Sequence, residues 1–167
     1  MKKNYFALLV AILIAGNSLL AATAPASPSA RWFKLEQDFQ QLTITGNVRI
    51  ILVQSEDDRI EWMGNAKLVE KIIVSNTSKG LFVDAPASVG AEDVTVIIPI
   101  KKLQSLVVNG DATISSRSNL EVPGLTICIN GKPNISIANK GAILIKGAQA
   151  NELVVEKVFG KIDFEDR

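Results

Sequence analysis

Carboxylates offer the first chemistry to weigh. They gather at Glu56-Asp57-Asp58, at Glu92-Asp93, at Asp111 and at Glu165-Asp166. Two carboxylates facing one another across a groove can hydrolyse a glycosidic bond, and a tighter set can hold calcium. Each of these groups falls in a predicted turn, where Asp and Glu serve solvation, and no calcium-loop spacing is present. The G-x-S-x-G elbow, the phosphate-binding loop and zinc-ligand spacings are missing too. Histidine is absent, which removes His-based triads, His metal sites and imidazole pH sensors. No catalytic, metal-ligating or cofactor-binding residue is assigned, and no cofactor is expected.

Stacking on sugars is the next chemistry to consider. Trp32, Phe33, Trp62 and Phe82 are the aromatics suited to it, and Trp32 and Trp62 are the candidate ligand-binding residues. Against that, Trp62 alternates with Ile60 in RIEWM, a pattern of core or edge packing. Trp32 lies in the segment RWFKLEQDF, where covering one end of the fold is the expected role. Lys101 and Lys102 form a small basic step after Pro99, read as a solvated turn. Cys128 is the only cysteine, so the chain forms no internal disulfide. Its place in the apolar run LTICI predicts burial as a small hydrophobe.

The chain opens on MKKNYFALLVAILIAGNSLLAATAPASPSA. Lys2 and Lys3, an apolar core from Ala7 to Ala15, and small residues through Ala26 make a secretory signal peptide, cut somewhere from 22 to 26. Gly16, Asn17 and Ser18 break the apolar run short of the ~18–20 residues a membrane span needs. That region has no cysteine to carry lipid, so an exported protein that is not a lipoprotein is expected, in the periplasm, at the outer surface or secreted. Cleavage near residue 24 removes two lysines and takes the net charge from +1 to about −1. Such a chain has no general attraction for nucleic acid. Residues 25–37 are expected to form a linker and lead-in, and 38–167 a single domain.

From Arg31 onward strand patterns follow one another: LTITG, VRIILVQ, DRIEWM, IIVSN, LFVDA and DVTVIIPI. NAKLVEKI (65–72) is the one helical turn, with Asn65 as its cap and Leu68, Val69 and Ile72 on one side. After Lys101, apolar segments arrive at intervals too short for helices.

Four places read apolar-x-apolar-x-Gly: Leu42-Ile44-Gly46, Leu106-Val108-Gly110, Ile127-Ile129-Gly131 and Ile143-Ile145-Gly147. In the first three an isoleucine stands four residues after the glycine, at Ile50, Ile114 and Ile135. In the fourth that position is Asn151, with Leu153 two residues later. Alternation puts the paired residues on one face of a strand, and glycine then permits a corner. The pattern predicts an all-β fold, a β-solenoid or right-handed β-helix-like stack of short irregular coils. It also predicts that Ile114 and Ile135 lie in register within one core. Ordinary hairpins at Asn109-Gly110 and Asn130-Gly131 are the competing account.

DFQQLTITGNVRIILVQSEDDRIEWMGNAKLVEKIIV, then LFVDA, then DVTVIIPIKKLQSLVVNGDATI, resembles the head GIN domain family of putative auto-transporter adhesins. The likeness runs over about residues 38–164. It implies export in Bacteroidetes-type bacteria and a β-helix-like fold, and it carries no established activity, cofactor or catalytic residue. The expected function is therefore that of an adhesin-like, non-enzymatic envelope or secreted protein, binding a glycan or a surface protein on a solenoid face. A β-helix enzyme acting on polysaccharide through Asp and Glu, or a structural envelope accessory, are the alternatives.

Overall fold

The structure, a computed structural model, describes residues 28–147, 152–157 and 162–165. The expected signal peptide lies outside the described residues. Along the chain come β1 (Pro28–Lys34), β2 (Gln41–Thr45), β3 (Arg49–Gln54), β4 (Arg59–Asn65), the helical turn α1 (Ala66–Val69), β5 (Ile73–Thr77), β6 (Gly80–Asp84) and β7 (Val94–Ile100). Then follow β8 (Ser105–Asn109), β9 (Thr113–Ser116), β10 (Gly124–Ile129), β11 (Asn134–Asn139), β12 (Ala142–Lys146), β13 (Glu152–Lys157) and β14 (Ile162–Glu165).

These strands form two seven-stranded mixed sheets, neither closed into a barrel. Sheet I has the order β1-β4-β7-β3-β9-β11-β13, and sheet II the order β14-β12-β10-β8-β2-β6-β5. Only β1, β4 and β5 join antiparallel, all at one end of the molecule. From β10 onward each strand lands parallel beside the strand two before it, alternately in one sheet and the other.

Period-two patterning decides which side chains face inward. In sheet II the line Leu81, Leu42, Leu106, Ile127, Ile145 is in register and buried. In sheet I the line Val96, Ile50, Ile114, Ile135 matches it, with Leu153 next in register. Both lines belong to one core, and each fully buried aliphatic side chain contributes about 1.5–3 kcal/mol. Ile114 and Ile135 are therefore neighbours in that core, as the repeat requires.

The Asn-Gly pairs close no hairpin, because β8 and β9, like β10 and β11, belong to different sheets. Their corners lie one on another. Asn130 Nδ2 donates to Asn109 Oδ1 at 3.0 Å, and the Lys132 N–H donates to Asp111 Oδ1 at 3.0 Å. Backbone approaches closely here: a Cβ on Gly131 would stand 2.4 Å from the Gly110 carbonyl oxygen, and one on Gly110 2.7 Å from that of Gly46.

In four places the structure departs from the sequence pattern. The fourth glycine copy is out of line, since Ile145 rather than Ile143 pairs with Ile127, and Gly147 faces Ile129 rather than Gly131. Strand order also breaks with chain order: β6 and β7 pair on the far side of β2 and β3, so β8 and β9 cross to the other flank. Cys128 is half-buried on the outer face, because alternation turns Leu125, Ile127 and Ile129 inward. Pro28, Ser29 and Ala30, read as linker, begin an edge strand paired with Met63, Gly64 and Asn65. The helical turn is where the sequence places it: Asn65 accepts from the Lys67 N–H at 3.1 Å, and Val69 and Ile72 are buried.

Candidate functional site

Among the described residues, the chain passes from sheet I back to sheet II through α1 and through four further connections, residues 35–40, 101–104, 117–123 and 140–141, which lie together. Backbone hydrogen bonds hold them side by side. Gln104 and Ser105 N–H donate to the Gln40 carbonyl at 2.7 and 3.0 Å, Thr126 N–H to that of Gln104 at 2.8 Å, and Ala142 N–H to that of Pro123 at 3.0 Å. One polar side chain anchors the widest connection. Asn139, fully buried, donates from Nδ2 to the Val122 carbonyl at 3.0 Å and accepts from the Val122 N–H at 3.2 Å. It thus extends the β11 ladder to a segment outside either sheet.

Between these connections and the leading ends of the sheet II strands runs a furrow. Its first part, about 360 Å³, lies among Gln37–Gln41, Thr77–Gly80 and Lys102. The second, about 540 Å³, shares Gln40 and Lys102 with the first and is floored by Leu103, Val122 and Pro123. The third, about 300 Å³, shares Gln104 and Gly124 with the second and continues past Thr126 and Leu144 to Asp163. The furrow therefore crosses the strands rather than following one. Amides and hydroxyls dominate its first part, and the second is more apolar.

Charge is concentrated at the β6 end. Lys102 Nζ lies 3.1 Å from Asp38 Oδ2, and Lys101 Nζ 3.7 Å from Asp38 Oδ1 and 4.0 Å from Glu56 Oε2. The hydrogen bond from Lys102 holds the Asp38 carboxyl below its ordinary value; desolvation opposes this, and the charges of both lysines reinforce it. The exposed Lys79 ammonium sits on the opposite lip of the first part.

The other sequence candidates lie elsewhere. Trp32 is exposed on β1, in register with Glu61, on the outer face of sheet I. Trp62, one residue along on the neighbouring strand, turns into the core and donates its indole N–H to the Val69 carbonyl at 3.1 Å. The structure does not bring the two rings together. The acidic turns are separated as well. Asp58 pairs with Lys34, Glu92 with Arg49, and Asp93 accepts from the Gly90 N–H. Among the described residues no three acidic or cysteine side chains converge in a metal-binding group.

The furrow was not read from the sequence, because it comes from segments far apart in the chain whose neighbourhood depends on the β6–β7 detour. Its one local signal is the run of glutamines, Gln37, Gln40, Gln41 and Gln104, beside strand starts.

The sequence profile described as "Putative auto-transporter adhesin, head GIN domain" matches residues 38–158. No curated protein matches the chain. A solved structure from Parabacteroides distasonis, described as a putative lipid binding protein, shares this chain's fold: it is 13% identical, with a TM-score of 0.53 over 82% of this chain, and the chain spans 62% of its length. A putative adhesin from Parabacteroides merdae is 15% identical, with a TM-score of 0.47 over 84% of this chain and 96% of its own. A third, a putative adhesin from Bacteroides fragilis, is 14% identical, with a TM-score of 0.42 over 84% of this chain and 98% of its own.

Proposed function

This chain belongs to the head GIN domain family of putative auto-transporter adhesins, and on that premise we propose an exported, non-enzymatic envelope or secreted protein that binds an extended partner along the furrow. The observation that carries this reading is the row of three hollows, each sharing two lining residues with the next, past the leading ends of β6, β2, β8, β10 and β12 to β14. A compact metabolite needs a closed pocket burying most of its surface. An open channel crossing several strands instead suits a chain molecule, a glycan or a protein segment.

We read the alternation between sheets as a short β-solenoid, supported by matched parallel registers in both sheets. The leader and the family description support export to the cell surface, and among the described residues no helix is long and apolar enough to cross a membrane. The non-enzymatic reading is supported by the separate local partners of the acidic turns.

The purified protein, applied to a glycan array and used to capture partners from envelope extracts, tests the reading. Retention of at least one glycan or protein is expected, unaffected by Trp62→Phe. Failure to retain anything from either source would retire it.

A further inference from the structure

The furrow carries a repeat that narrows what its occupant can be. On the outer face of sheet II, Gln41, Ser105, Thr126, Leu144 and Asp163 stand in one register line, each on a successive strand. Four of the five present an amide, hydroxyl or carboxyl group; Gln41 lines the first part of the furrow, and Thr126, Leu144 and Asp163 line the third. Strands lie ~4.8 Å apart, so the line advances at that spacing, with Leu144 interrupting its hydrogen-bonding groups, and the six strands from β6 to β14 span ~24 Å.

Commensurability separates the two chain molecules considered above. An extended peptide presents equivalent side chains every second residue, ~6.7 Å apart, and falls out of step with the strands within two crossings. An extended β-linked polysaccharide advances close to one strand spacing per sugar with successive rings turned over, so every second ring meets an equivalent strand end. Its hydroxyls match amides and hydroxyls, and its apolar ring faces match Leu103, Val122 and Pro123 on the floor.

Building on the furrow reading above, we propose that the occupant is a linear polysaccharide lying across the strands, about one sugar per strand. Its length of engagement is then about six sugars.

Gly124 gives a clean obstruction. It lines the second and third parts of the furrow, its backbone does not need positive φ, and a Cβ placed on it meets nothing within 4 Å. Gly124→Phe should therefore fold normally and fill the channel. Calorimetric titration would use cellulose-, chitin- and polyuronate-derived oligosaccharides of two to eight sugars against the purified protein. At least one series should tighten roughly three- to tenfold per added sugar, up to about six, and then level off. Gly124→Phe should abolish that binding at unchanged melting temperature, and Gln41→Ala with Thr126→Ala should weaken the hexamer at least tenfold.

Affinity independent of length, binding that survives Gly124→Phe, or no binding in any series would overturn the proposal. A protein captured from envelope extracts and released by Gly124→Phe would overturn the glycan while leaving the furrow as the binding site, so the two readings fail separately.

Discussion

The molecule turns its two long corners to opposite uses. Along one, Gly46, Gly110 and Gly131 bring backbone onto backbone until no side-chain carbon fits. Along the other, Gly80 and Gly141 also lie against neighbouring backbone, but connections of unequal length leave open space at Gly124 and along the furrow. Both corners join the same two sheets around one core. Close stacking at the glycine corner sets the register, and a fixed register allows the opposite corner to repeat its chemistry strand after strand.

Substitutions should separate the corners by the size of their effect. The greatest loss is expected at Gly46, whose φ is 91° and whose Cβ would stand 1.9 Å from the Ala85 carbonyl oxygen. Gly46→Ala should cost about 3–5 kcal/mol by urea denaturation, joining left-handed strain to an overpacked backbone contact. Asn139→Ala should follow at about 2–4 kcal/mol, because it strands the buried N–H and carbonyl of Val122. Faster hydrogen exchange at Val122 would identify that cause. Asn130→Ala removes one exposed side-chain bond between corners and should cost about 0.5–1 kcal/mol. Gly124→Ala, on the furrow side, should leave stability within about 0.5 kcal/mol of the parent. A loss comparable to that at Gly46 would erase the distinction between corners.

The smallest effect belongs to Asp38. Its folded value lies below the ordinary 3.8, so its stabilisation is complete above that value and is lost as pH falls through the lower folded one. Melting temperature followed from pH 5 to pH 2 should fall slightly less steeply for Asp38→Asn than for the parent.

Much of this architecture was legible in the sequence because alternation and glycine spacing are local. The inward rows, the Asn65 cap and the pairing of Ile114 with Ile135 followed from residue types alone. Gly147 misled because its surroundings match the motif while the parallel ladder, set by Leu125 against Ile143, runs two residues out of step with it. The same ladder turned Cys128 outward, which hydrophobicity alone did not reveal. Pro28–Lys34 lacks an apolar alternation strong enough to announce a strand, and its place is set by its partner β4. Nothing local in the sequence marks Asn139, since its value lies wholly in the distant backbone it satisfies. The furrow needed the strand order, and no local pattern carries that order.

That order also governs when the molecule can come into being. β2 finds one neighbour in β6, 39 residues later, and the other in β8, 64 residues later. A chain emerging N-terminus first, from a ribosome or a membrane pore, cannot wind itself up layer by layer as it appears. Strand β2 must wait, unpaired in sheet II, until β6 is out at about the midpoint of the chain. Contacts of such long separation slow folding. The detour that defines the furrow thus delays assembly until the whole N-terminal half is available at once.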